Sequence, residues 1–306
     1  MSNPVSNANR AWAWLQLIRP PNLPTVPGDP IAGCLLASLS LTPVYLPVHS
    51  TGLLLPALSA ILLYMGGLIL NDVADYHEDR AERPQRPLPS ARLSRRAATI
   101  VGLGLGLMAM ALAAYCSRTT LAVSVLLWIL ILAYNFFTKR FLILGCVNMG
   151  LCRGVSLLLG ASALGVASLH SMPVLLGATI LMGYISTITF LAARETQQIA
   201  FGLLRWLPLA PLLLLAVLLV WLKNATLPAL LLSICSAAWA GWYCRSLSGT
   251  PTPQILGKAI GGLIRGLLLM QATFCATVSG PGTLAAGGLL LLIPISTLLA
   301  NRFYAT

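Results

Sequence analysis

Ten stretches of about twenty apolar residues follow one another along this chain, at roughly 23–42, 52–71, 97–116, 119–137, 142–165, 172–193, 203–222, 226–244, 257–279 and 283–301. Each is long enough to cross a hydrocarbon layer about 30 Å thick as a helix. Charged residues make up only 8% of the chain, against about 25% in soluble domains. Lipid must therefore serve as the solvent. The fold class expected is an all-α, polytopic transmembrane bundle around a central cavity open to the cytoplasmic side. Only Gly280-Pro281-Gly282 separates the last two runs, so nine or ten spans are counted.

Lys and Arg favour cytoplasmic loops. Fifteen of them, from Arg10 to Arg302, fall at the N-terminal end and in alternate loops; the opposite loops hold only Arg118 and Lys223. Both termini are then expected in the cytoplasm, with the protein in a bacterial inner membrane. The net charge of +12 reads as a topology signal and argues against a nucleic-acid partner. The segment 1–22, with Trp12 and Trp14, reads as an interfacial anchor. The first apolar run follows no signal-peptide pattern. Seven cysteines without a CxxC pair read as small packing residues. No soluble domain or internal repeat stands out, so residues 1–306 form one membrane domain, with 72–96 as its long, charged cytoplasmic loop.

The chain has seven acidic residues, and five crowd into eleven positions: Asp72, Asp75, Glu78, Asp79 and Glu82. Asn71, Asp75 and Asp79 are four apart, so a helix continuing through them presents all three on one face. Such oxygens at a membrane surface suit Mg²⁺, which takes one or two carboxylates and completes its octahedron with water and phosphate oxygens. Arg80, Arg83 and Arg86 follow directly and can grip phosphate. Carboxylates, metal and arginines together equip a site to hold a diphosphate. Asp29, before Pro30, reads as a structural N-cap. Arg153 lies in mid-span, where a charge is costly and rarely idle; it is expected to face the cavity and reach diphosphate or an acidic partner, or else to form a structural pair within the bundle.

At these residues the chain resembles the UbiA superfamily of intramembrane prenyltransferases. Asn71, Asp75 and Asp79 fit its N-x-x-x-D-x-x-x-D signature. Arg86-Pro87-Leu88-Pro89-Ser90 fits the family's R-P-L-x-S-G, with Ala91 in place of Gly. Tyr134 to Arg140 resembles the basic loop after the fourth helix. The stretch from Asn148 to Gly154 is similar to the EboC-like branch. The resemblance implies Mg²⁺-dependent transfer of an isoprenyl group from an isoprenyl diphosphate to a small, aromatic acceptor. It implies that Asn71, Asp75 and Asp79 hold metal. Arg80, Arg83, Arg86, Lys139, Arg140, Arg153 and Arg194 would face the diphosphate, and Glu195 would join the catalytic set.

The family's second acidic motif is reduced here. Arg194-Glu195 stand at its start, but Thr196, Gln197, Gln198 and Ile199 follow, and these carry no charge for a second Mg²⁺. An alternative is a non-catalytic or transport-linked binder of a lipid diphosphate or metabolite precursor. A CDP-alcohol phosphatidyltransferase would need a D-G-x-x-A-R string, which is absent.

Overall fold

The computed structural model describes residues 7–40, 50–194, 200–221 and 226–303. Among them every regular element is helical: α1 (Asn7–Ile18), α2 (Gly28–Ser38), α3 (Ser50–Ala74), α4 (Tyr76–Glu82), α5 (Arg95–Cys116), α6 (Arg118–Phe136), α7 (Leu142–Ala161), α8 (Met172–Ala192), α9 (Leu209–Trp221), α10 (Leu227–Ser246), α11 (Pro253–Ala276) and α12 (Pro281–Phe303), with short 3-10 turns between some of them. Eight are long and apolar enough to cross a bilayer: α3, α5, α6, α7, α8, α10, α11 and α12.

The runs at 23–42 and 203–222 yield shorter α-helices than their length suggests. α2 has 11 residues and α9 has 13, each preceded by a 3-10 turn. Pro20, Pro21, Pro24 and Pro27 precede α2, Pro30 lies in its first turn, and Pro208 precedes α9. Proline lacks the N–H that an α-helical ladder needs, so apolar length there does not become helix length.

Small residues let the helices approach closely. A Cβ on Gly33 of α2 would lie 1.9 Å from the Leu157 carbonyl oxygen of α7. A Cβ on Gly160 of α7 would lie 1.8 Å from the Pro30 carbonyl oxygen. These two glycines seat α2 against α7. The most enclosed spans are α11 and α7, whereas α12 shows most of its surface on the outside. Tyr184 and Trp239 donate to the Leu263 and Gly262 carbonyls at 2.8 Å each, tying α8 and α10 to α11.

Past α4 the chain turns back. Pro87, Leu88 and Leu93 are buried, and the two leucines pack with Ala13 and Leu17 of α1, Ile69 and Val73 of α3, and Ala98 of α5. This small satellite core fixes the loop from 83 to 94 over the end of α3. Ser94 then caps α5 by accepting from the Ala97 N–H at 3.1 Å. Trp12 stacks on Phe303 at 4.7 Å between ring centroids, so α1 is fastened to α12 as well as to α3. All seven cysteines are free.

Candidate diphosphate and metal site

The i→i−4 ladder continues beyond the third helix. The Asp75 N–H donates to the Asn71 carbonyl (2.9 Å), Asp79 to Asp75 (2.8 Å) and Arg83 to Asp79 (2.8 Å). The brief irregularity at Asp75, between α3 and α4, therefore leaves the helical spacing intact. Asn71 Nδ2 donates to Asp75 Oδ2 at 3.0 Å. Lys139 Nζ donates to Asn71 Oδ1 at 3.2 Å and pairs with Asp75 Oδ1. Arg86 Nη1 bonds Asp79 Oδ2 at 2.7 Å. Side chains advance about 100° per residue round a helix, so Asp79 projects between Asp75 and Asp72. That explains why Arg86 also lies 3.9 Å from Asp72 Oδ1. Asp72 is buried and accepts from Arg19 Nη2 at 3.1 Å.

Lys139 reaches this face because its loop is pinned from below. Asn148 of α7 donates to Thr138 Oγ1 at 2.8 Å. Asn135, near the end of α6, donates to the Gly67 carbonyl of α3 at 2.8 Å. Arg80, Arg83 and Arg140 are exposed at the rim and make no ion pair among the described residues. Arg194 lies over the Phe190 ring at 4.7 Å. Glu195, with the rest of the reduced second motif through Ile199, lies outside the described residues.

Below the acidic face opens a cavity of about 190 Å³. Arg19, Asn71 and Tyr134 line it together with apolar Leu63, Leu127 and Ile131 from α3 and α6; Arg153 and Ser156 line it from α7. Arg153 has an acidic partner here: its Nη1 lies 3.0 Å from Asp29 Oδ2. Its Nη2 donates to the Thr25 carbonyl at 3.1 Å and to Thr25 Oγ1 at 3.2 Å. Asp29 is thus no N-cap. α2 starts one residue earlier, at Gly28, and the fully buried carboxylate turns inward to Arg153 and to Gln271 Nε2, 2.5 Å away.

The donors suit Mg²⁺ chemically. Two carboxylates and an amide oxygen stand at helical spacing beside a cavity, and such an ion leaves its other positions to water and phosphate. Among the described residues no three His, Cys, Asp or Glu side chains group to hold an ion by themselves. Lys139 and Arg86 pair with Asp75 and Asp79 in this structure.

Asn71, Asp75 and Asp79 are brought together as their spacing suggests and Arg86 joins them as its charge suggests, while Lys139, singled out only by the family resemblance, pairs with Asp75. Asp72, Arg19 and the Thr25–Asp29–Gln271 set escaped sequence reasoning. The one available signal was a buried charge at Arg153 that needed a counter-charge; with so few acids in the chain, Asp29 was the apolar-segment candidate.

The sequence profile of the UbiA prenyltransferase family matches residues 31–253. The chain is 29% identical over 157 residues to a digeranylgeranylglyceryl phosphate synthase of Methanoculleus marisnigri, covering 51% of this chain and 53% of that protein. It is 30% identical over 150 residues to the synthase of the same name from Methanopyrus kandleri, covering 49% and 52%. The chain thus spans about half the length of the curated relatives it matches. Its fold is similar to that of a UbiA homolog from Aeropyrum pernix, with TM-score 0.63 at 18% identity over 82% of this chain and 97% of that one. It is also similar to a UbiA homolog from Archaeoglobus fulgidus bound to DMAPP and Mg²⁺, with TM-score 0.59 at 16% identity over 87% and 99%.

Proposed function

Because this chain belongs to the UbiA prenyltransferase family, we propose that it transfers an isoprenyl group from an isoprenyl diphosphate to a small acceptor within the membrane. The observation that carries this reading is the unbroken helical run of Asn71, Asp75 and Asp79 above the cavity, with Lys139 and Arg86 drawn onto it. The names of the relatives, and the DMAPP and Mg²⁺ bound by the Archaeoglobus protein, support it.

Asn71, Asp75 and Asp79 would hold Mg²⁺, which supplies Lewis-acid stabilisation of charge on the departing diphosphate. Lys139 and Arg86 bind diphosphate oxygens once released from the carboxylates. Arg80, Arg83 and Arg140 attract the anion at the rim, Arg194 adds a further cation for it, and Glu195 takes the catalytic place that the family pattern gives it. The allylic carbon–oxygen bond breaks, and its electron pair leaves on the diphosphate. An electron pair of the acceptor forms the new bond to the cation, and the acceptor's proton passes to a diphosphate oxygen. Leu63, Leu127 and Ile131 keep water from the cation meanwhile. Residues 1–306 act as one membrane unit, with 1–22 as its anchor and 72–96 as the loop that carries the chemistry. The lysine and arginine bias supports a site on the cytoplasmic side.

The test is pyrophosphate release by the purified protein with Mg²⁺, a panel of isoprenyl diphosphates and mixed acceptors. Release should require Mg²⁺ and fall at least 100-fold in Asp75→Ala and Asp79→Ala, the scale at which lost electrostatic stabilisation of a transition state is felt. Release unchanged in both variants would overturn the reading. The uncharged positions Thr196, Gln197, Gln198 and Ile199 favour one second reading, a carrier that binds the diphosphate without cleaving it; saturable Mg²⁺-dependent binding with no release would select it.

A further inference from the structure

Arg265 is a second arginine at membrane depth. It lies in α11, a helix of 24 residues that starts at Pro253, about 18 Å from that start at 1.5 Å per residue. This is close to the middle of a hydrocarbon layer about 30 Å thick. The residue is half-buried, and among the described residues its side chain takes no ion pair and no hydrogen bond. Its guanidinium turns back along the helix: a Cβ on Gly261 would lie 3.7 Å from Nη1 and 3.9 Å from Nη2, with nothing else beyond the helix within 4 Å. One turn nearer the start of α11 stands Lys258, exposed and likewise without an ion pair among the described residues. Residues 258, 261 and 265 are three and four apart, so they share one stripe of the helix.

The stripe does not serve the diphosphate face. None of the residues lining the cavity comes from α11, and Arg265 projects about 120° round the helix from Gln271, which faces Thr25 and Asp29. A charge at this depth is costly and defaults to function. Folding back over Gly261 lifts the guanidinium by one turn, roughly 5 Å, which leaves it inside the hydrocarbon layer. The chain has little acid to answer it. Asp29, Asp72, Asp75 and Asp79 pair with other cations, Glu78 and Glu82 are exposed on α4, and Glu195 lies outside the described residues. A second copy of this chain therefore offers no exposed acid from its described spans. The anion at the edge of every leaflet is lipid phosphate. Arginine grips phosphate through a fork of N–H donors and lysine as a point charge, and basic pockets between spans hold anionic headgroups. Gly261 leaves the space between the two cations open. α10 and α12 pack on α11 and turn Trp242, Leu291 and Leu298 to the outside, an apolar surface for acyl chains.

We propose that Lys258 and Arg265, across Gly261, bind the phosphate of an anionic phospholipid in the leaflet at the start of α11 and draw its headgroup inward beside α10 and α12. Arg265 takes phosphate oxygens through its paired N–H donors, and Lys258 adds the second charge. The site is separate from the diphosphate face and stands whether or not the chain cleaves an isoprenyl diphosphate.

Native mass spectrometry tests it, on the full chain released from nanodiscs of phosphatidylglycerol mixed with phosphatidylcholine. The unaltered protein should retain one phosphatidylglycerol in preference to phosphatidylcholine by at least about fivefold, the scale of one charge at a membrane surface. Arg265→Gln and Lys258→Gln should each remove most of that preference, and Arg265→Lys should keep most of it. Gly261→Leu, which fills the space between the cations, should act like Arg265→Gln. Arg96→Gln, at an exposed cation near the start of α5, should change nothing. Glycerol 1-phosphate and inorganic phosphate should not displace the lipid. Equal retention of the two lipids by the unaltered protein would overturn the proposal, and that comparison needs no variant to fold. So would a preference unmoved by Arg265→Gln, the result for a cation that merely reaches towards water, or one lost equally in Arg96→Gln. Displacement by the soluble phosphates would reassign the site to a soluble anion. A dimer that Arg265→Gln dissolves, with no lipid preference, would reassign it to a second copy of the chain.

Discussion

At residue 91 the backbone takes φ 56, a left-handed conformation that costs a residue with a Cβ roughly 1–2 kcal/mol. The position closes the turn between Pro87 and Ser94, where the family pattern carries glycine. Ala91→Gly should relieve that strain, offset partly by the freer unfolded chain; we expect a gain of up to about 1 kcal/mol, read as a small rise in the midpoint of thermal unfolding in detergent. Asp72 raises a different question. It adjoins Asp79 round the helix, receives Arg19 and approaches Arg86, so on the prenyl-transfer reading it would position guanidinium groups for the substrate. Asp72→Asn should raise the diphosphate KM about tenfold with kcat nearly unchanged, the scale of one charge-assisted hydrogen bond. A fall in kcat alone would count against that role. Asn71, Asp75 and Asp79 were legible because helical spacing is a local property. Arg19 with Asp72, or Gln271 with Asp29, was not, because 53 and 242 residues separate the partners and no spacing rule links them.

Among the elements, the seam between α2 and α7 deserves the sharpest test. Both helices bring backbone within side-chain distance at Gly33 and Gly160, and the same seam carries Asp29 opposite Arg153. Gly160→Val should force the helices apart; we expect loss of monodisperse protein after detergent extraction. Gly104, whose Cβ would meet nothing within 4 Å, supplies the control, and Gly104→Ala should extract normally. Elsewhere the apolar runs foretold α3, α5, α6, α7, α8, α10, α11 and α12 closely. They overstated α2 and α9, because hydropathy measures affinity for lipid while prolines decide where a hydrogen-bond ladder can begin.

For the whole molecule, the charge asymmetry makes a topological prediction. In a background from which accessible native cysteines such as Cys235 have been removed, a cysteine at Arg83 or Arg140 should react with an impermeant maleimide only from the cytoplasmic face. One at Arg118 should react only from the other face. Labelling of all three from one side would refute the fifteen-to-two reading of the loops. The bundle's general architecture was visible in the order and length of its apolar runs, but its closure was not. Ser296 of α12 donates to the carbonyl of Pro21 at 2.7 Å across 275 residues, and Phe303 of the same helix stacks on Trp12. The segment that carries Arg19 to the cavity is therefore made early and clasped late. During synthesis it must wait at the membrane surface until α12 has been inserted, so the entrance to the site is finished only when nearly all of the described chain has left the ribosome.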